Sequence, residues 1–143
     1  MKAILIQCGA VLVVFVAGVW VGKTTTVDAA AKGRVFEIRT YTANEGKLDA
    51  LHARFRNHTT KIFEKHGMTN IGYWVPADPP NSENTLVYII AHKDREAAKK
   101  SWADFRADPA WQAVVKESQK DGPLTTKPPE SVFLNPTDYS PIK

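Results

Sequence analysis

Arg39 and Tyr41 are the first residues whose types and spacing suggest chemistry. They stand two positions apart in the segment FEIRTY at positions 36–41. Side chains two apart on a β-strand point to the same side. A guanidinium beside a phenol can hold a carboxylate or carbonyl oxygen, because it presents a rigid fork of donors. The alternative is a structural ion pair of Arg39 with Glu37 or with a helix acid. We expect Arg39 to face the helices.

Three of the four histidines follow in or beside one amphipathic segment: His52, His58 and His66. The spacing of the apolar residues predicts a helix there, with His58 at the border of its buried face. An imidazole at that place could act as an acid, a base or a ligand, or could simply bond a backbone carbonyl. The histidines are six and eight positions apart, not four, which disfavours a metal site.

Trp74 is one of several large aromatic residues, which are numerous for a domain of this size. Such residues could line an apolar ligand pocket, although ordinary core packing would also use them. The candidate pocket, placed between the first helix and the sheet, therefore consists of Arg39, Tyr41, His58 and Trp74. No nucleophile elbow, phosphate loop or dinucleotide motif occurs in the sequence, so catalytic residues stay unknown and no cofactor is predicted.

The strands and helices that must position these residues are predicted by the periodicity of the apolar residues and by the residues that begin or end helices. Alternating, β-rich segments predict strands at 34–42, 68–75, 85–92 and 131–135. The first helix should end near Lys65, before Gly67. Asp94 can cap a second helix, and Asp108 followed by Pro109 predicts a break and a third helix. The order is β-α-β-β-α-β with a split second helix, which indicates an α+β, ferredoxin-like fold.

The third predicted strand is apolar at both parities, with Leu86, Tyr88 and Ile90 alternating with Val87 and Ile89. One sheet face takes the helices, so the other face also needs cover. We therefore expect a homodimer.

The first 31 residues differ in character from the rest. Lys2 precedes a nearly apolar run, and small residues end at Ala31. This resembles a secretory signal peptide cleaved after Ala31, leaving a domain at 32–143 that is exported, periplasmic or secreted. The run is also close to the length of a membrane span, so an uncleaved anchor is the alternative. Membrane contact is expected only in that case.

Composition argues against a nucleic-acid partner and against cysteine-based sites. The formal net charge of +4 is too small to favour a nucleic-acid surface, and no nucleic-acid partner is expected. Cys8 is the only cysteine, so the domain at 32–143 has no disulfide or cysteine-ligated metal.

Several segments together resemble the NIPSNAP family across about 35–141. They are FEIRTY at 36–41, GKL at 46–48, FEKHGM at 63–68, GYW at 72–74, FRADP at 105–109 and PTDYS at 136–140, with Trp102 and Trp111. The resemblance implies a dimeric α+β barrel, in which two ferredoxin-like sheets pack face to face. It implies no settled activity, because the family's biochemistry is poorly defined. The expected function is binding of a small apolar or carbonyl-bearing ligand, or of a partner protein. The alternative is an enzyme, since this barrel fold also hosts cofactor-independent oxygenases and haem-handling enzymes.

Overall fold

A computed structural model describes residues 33–143. The leader or anchor expected at 1–31 lies outside these residues. Four strands form one antiparallel sheet of order β2-β3-β1-β4, with helices on one side, so the α+β ferredoxin-like prediction is confirmed. The strands are β1 (Val35–Thr42), β2 (Thr69–Trp74), β3 (Thr85–His92) and β4 (Glu130–Leu134). The helices are α1 (Leu48–Arg54), α2 (Thr60–Lys65), α3 (Arg95–Ala107) and α4 (Pro109–Ser118).

The element boundaries follow from short-range chemistry. Asp94 and Asp108 cap α3 and α4 by accepting backbone N–H groups of Ala97 and Ala110, as expected. Gly67 has a φ of +75°, the left-handed conformation that ends the first helical segment at little steric cost. Each strand lies within one residue of its predicted bounds, and the expected β2–β3 hairpin is present.

A π-turn interrupts the first helix between α1 and α2, at Phe55–Thr59. The hydroxyls of Thr59 and Thr60 donate to the carbonyls of Arg54 and Phe55, five residues earlier in each case, at 3.2 and 3.3 Å. A π-turn places more residues in a turn than an α-turn, which rotates the later side chains about the axis. Thr59 is buried as a result, and His58 is exposed.

The core lies between the helices and one face of the sheet. Tyr88 is fully buried and packs against Phe55, Phe63 and Tyr73, with ring centroids 5.2–5.9 Å apart. Leu51 is also fully buried. The helix-facing side chains of the sheet alternate with those of the opposite face, so each strand supplies both.

The opposite face of the sheet is apolar. Ile38 lies between Ile89 and Val132 in the strand register, and Val132 is 55% exposed. The C-terminal residues Pro136 and Ile142 lie near one part of this face. No helix between residues 33 and 143 combines the length and the apolar character needed to cross a membrane.

Candidate functional site

A buried carboxylate organises the polar groups on the helix side of the sheet. Glu37 is 1% exposed and accepts four hydrogen bonds. Arg39 Nη1 (2.8 Å) and Ser131 Oγ (2.6 Å) donate to its Oε1. Trp102 Nε1 (2.7 Å) donates to its Oε2, and His92 Nε2 lies 3.0 Å from the same atom. We call these five residues the Glu37 cluster.

Tertiary folding brings this cluster together from three strands and one helix. Glu37 and Arg39 point to the helices because they share a parity on β1, and Ser131 on β4 lies opposite Arg39 in the register. Burial by itself raises the pKa of the Glu37 carboxyl, but the bonds from His92, Ser131, Trp102 and Arg39 outweigh burial and lower that pKa to about 2. Glu37 is therefore an anion at neutral pH.

Arg39 has a carboxylate partner inside the chain, although its Nε is buried without a hydrogen-bond partner. Its guanidinium pairs with Glu37 and lies over the Trp102 ring, 4.3 Å from the centroid. Burial acts to lower its pKa, but Tyr88, Tyr41 and Glu37 raise the pKa above its ordinary value. The ion pair, one of the two roles that the sequence left open for this residue, is present. Tyr41 shares the same side and packs on Phe55, with centroids 5.6 Å apart.

Arg54 presents the opposite case. It is 7% exposed at the end of α1, next to the π-turn. Its Nε is buried without a hydrogen-bond partner, and no carboxylate within residues 33–143 forms an ion pair with its guanidinium. The guanidinium lies 5.4 Å from the centroid of the Trp111 ring. Burial lowers the pKa of Arg54 below its ordinary value, although Tyr41 and Tyr88 act to raise it.

Arg54 opens onto a cleft of about 500 Å³ between the first helical segment and α4. We call it the Arg54 cleft. The cleft is open partly because three residues of its lining, Ala50, Ala53 and Ala113, have small side chains. Its volume suits a small ligand. Its polar lining is Asn57, His58, Ser118, Glu117, Lys120 and Asp121. Glu117 on the rim is already paired with Lys120 at 2.7 Å.

The four residues predicted for one pocket occupy separate places. Arg39 lies in the Glu37 cluster and Tyr41 in the aromatic core. His58 lines the Arg54 cleft, between helices rather than between a helix and the sheet. Trp74, 51% exposed, lies at the edge strand beside another cleft of about 270 Å³. Whether any of the four binds a ligand stays a prediction.

Sequence reasoning missed Arg54, although a signal was present. Position 54 follows Leu51 by three and precedes Phe55, so it falls on the buried stripe of the helix. A cation on such a stripe needs an anion or an aromatic face. Among residues 33–143, no group of three or more His, Cys, Asp or Glu side chains is placed to hold a metal ion.

Comparison with known proteins places this geometry in context. The NIPSNAP family model matches residues 36–141. No curated protein matches the chain significantly. A NIPSNAP family protein of unknown function from Agrobacterium tumefaciens is 24% identical, with a TM-score of 0.67 over 79% of this chain and 96% of that one. An uncharacterised NIPSNAP-like protein from Burkholderia xenovorans is 23% identical, with a TM-score of 0.66 over 77% and 90%. A variant of SnoaB, a cofactor-independent oxygenase from Streptomyces nogalater, is 15% identical, with a TM-score of 0.50 over 76% and 97%.

Proposed function

This chain belongs to the NIPSNAP family, and we propose that it is a homodimeric binding protein that holds a small carbonyl- or carboxylate-bearing ligand in the Arg54 cleft. One observation carries the proposal. Arg54 is 7% exposed, its Nε is buried without a hydrogen-bond partner, and no carboxylate within residues 33–143 pairs with its guanidinium.

The physical argument starts from the cost of that arrangement. An isolated buried charge destabilises a fold by several kcal/mol unless an opposite charge or hydrogen-bond acceptor offsets it. The Trp111 ring offsets part of this cost, on the order of 1 kcal/mol. An oxygen anion in the cleft would offset the rest, and the guanidinium fork matches a carboxylate with two parallel bonds.

The rest of the cleft defines the ligand's body. Ala50, Ala53 and Ala113 offer apolar walls, with Val114 beside them. Asn57 and His58 add hydrogen-bonding groups at one side. The fitting ligand is therefore a small, mainly apolar molecule with one carboxylate or polarised carbonyl.

Octanoate and octanol test this proposal because they differ mainly in the carboxylate. Isothermal titration with the full chain should give binding of octanoate and at least tenfold weaker binding of octanol, since a charge-assisted pair contributes about 1.5–3 kcal/mol. Arg54→Met should abolish the preference. Native mass spectrometry of the purified chain would reveal a co-purifying ligand, which Arg54→Met should also lose.

Occlusion of the cleft provides a second test that keeps the arginine. Ala113→Leu fills the cleft from α4 and should block octanoate. Ala103→Leu is the matched control, because Ala103 is an exposed alanine on α3 outside the cleft lining. Equal octanoate binding in wild type, Arg54→Met and Ala113→Leu would refute the proposal.

The homodimer rests on the apolar open face of the sheet. Trp74, Val132 and Leu134 are 40–55% exposed there, and an apolar surface of this kind is normally covered by a partner. A second copy of the sheet is the occupant we propose. Light scattering on the full chain should give twice the monomer mass, and a stable monomer at micromolar concentration would sink this part of the proposal.

An enzyme of the oxygenase or haem-handling type is the second candidate. The similarity to SnoaB supports the common fold alone. A Soret band in the purified chain, or oxygen consumption with a bound carbonyl compound, would favour this candidate over simple binding.

We also propose export, on the basis of the apolar leader at 1–31. N-terminal sequencing of the exported form should begin after Ala31. A membrane-held form that still starts at Met1 would support the anchor instead.

A further inference from the structure

A row of cations runs along the face of α3 that borders β4. Arg95, Lys99 and Arg106 share this face with Trp102, because their spacings of four, three and four are helical. All three cations are exposed. No carboxylate within residues 33–143 pairs with any of them, whereas Lys100 on the same helix pairs with Asp104 at 2.5 Å. The row therefore differs from an ordinary solvated face laced with salt bridges.

These cations form one wall of a cleft of about 310 Å³. We call it the α3 cleft. Its other lining comes from Glu37, Arg39, Ser131 and Phe133 on β1 and β4. The α3 cleft lies apart from the Arg54 cleft, with which it shares no lining residue.

The carboxylate in the α3 cleft cannot serve the row of cations. Both oxygens of Glu37 are occupied, Oε1 by Arg39 and Ser131 and Oε2 by Trp102 and His92. Arg39 already balances its charge. The charges of the three α3 cations are therefore left without compensation at the lining of the cleft.

Two of the guanidinium groups at the cleft are held in place by aromatic rings. Arg95 lies 3.4 Å from the centroid of Phe133, and Arg39 lies 4.3 Å from that of Trp102. Stacking on a ring restricts a long side chain. Less rotamer freedom then remains to be lost when a ligand binds, which favours affinity.

We infer that the α3 cleft binds a small molecule carrying a phosphate group. A phosphate offers several strong acceptor oxygens and more than one negative charge, which matches the several donors and uncompensated charges here. A monocarboxylate would meet only one of them. Because the cations are exposed, binding is strongest at low ionic strength.

Isothermal titration of the full chain with inorganic pyrophosphate tests this inference. Lys99→Gln should weaken pyrophosphate binding about twofold to fivefold, as expected for the loss of one solvent-exposed charged contact. Lys116→Gln is the matched control, because Lys116 is an exposed lysine on α4 outside the α3 cleft. Its affinity should equal that of the wild type. Both residues are exposed, so neither substitution should alter the melting temperature.

A site-specific signal accompanies the titration. The Trp102 indole N–H donates to Glu37 Oε2 beside the α3 cleft, so the NMR resonance of this indole N–H should shift when pyrophosphate binds. No binding of pyrophosphate, or equal weakening by Lys99→Gln and Lys116→Gln, would overturn the inference. Lys99-dependent binding to phosphatidylglycerol vesicles without pyrophosphate binding would assign the cleft to a membrane surface and would also overturn it.

Discussion

Two arginines on the helix side of the sheet, Arg39 partly buried and Arg54 buried, lie against tryptophan rings but differ in their charge partners. Arg39 lies over the Trp102 ring and Arg54 near the Trp111 ring. Arg39 has Glu37 at 2.8 Å, whereas Arg54 has no carboxylate partner within residues 33–143. The phenols of Tyr41 and Tyr88 act to raise the pKa of both guanidinium groups.

The net pKa shifts express the difference. Burial lowers the pKa of both arginines, but the tyrosines and the Glu37 carboxylate reverse that effect at Arg39, whose pKa is raised. At Arg54 the effect of burial prevails and the pKa is lowered. An arginine whose charge is paired with a carboxylate of the chain stabilises the fold. An arginine without such a carboxylate, beside an open cleft, is available to bind a ligand.

The largest effect is expected at the centre of the compensated region. Glu37→Gln removes the buried anion and leaves Arg39 unpaired, so it should lower the free energy of unfolding by about 3–5 kcal/mol at pH 7. Urea denaturation measures this. Glu117→Gln is the control, because Glu117 is an exposed carboxylate whose loss should leave stability nearly unchanged. A large loss at Glu117 would instead indicate that it compensates Arg54.

The same carboxylate should govern part of the acid sensitivity. The folded-state pKa of Glu37, about 2, lies below its ordinary value of 4.5. Its stabilisation, roughly 3 kcal/mol, is therefore fully present above about pH 4.5 and is lost as the pH falls towards 2. Unfolding free energies from pH 6 to 3 should fall less steeply for Glu37→Gln than for wild type. Parallel slopes would contradict the low pKa.

Paired methionine substitutions sharpen the comparison most directly. Arg39→Met should lower the free energy of unfolding by about 2–3 kcal/mol, because it strands the Glu37 carboxylate. Arg54→Met removes an uncompensated charge and, without ligand, should raise the free energy of unfolding by about 1–3 kcal/mol. Octanoate binding should show the reverse order, lost at Arg54 and kept at Arg39. Equal losses of stability would erase the distinction.

The smallest effect is expected at the π-turn that follows Arg54. Thr59→Val removes the hydroxyl bond to the Arg54 carbonyl and should cost about 1 kcal/mol. It should also weaken octanoate binding, because the backbone that positions the guanidinium is less fixed. Thr60→Val removes the analogous bond to Phe55 and should cost a similar amount with octanoate affinity unchanged. The two variants would be alike in binding if the π-turn had no part in placing Arg54.

Much of the fold could be predicted because its signals are local. Period two gave the strands, and Asp94, Asp108 and Gly67 marked helix boundaries, since caps and left-handed turns depend on neighbouring backbone groups. The π-turn could not be predicted in this way. In the structure Thr59 is buried and His58, which was expected at the border of the buried face, is exposed.

The sequence by itself determined the layered fold, the shared side of Glu37 and Arg39 on β1, and the apolar character of both sheet faces, but not that this shared side faces the helices. Only the tertiary structure decided which arginine is compensated. The partners of Glu37 lie up to 94 positions away, at Ser131, and Arg54 meets its cleft through α4, far along the chain. Side-chain direction follows from local geometry, whereas the pairing of a buried charge depends on which distant groups the packed fold brings within hydrogen-bond reach.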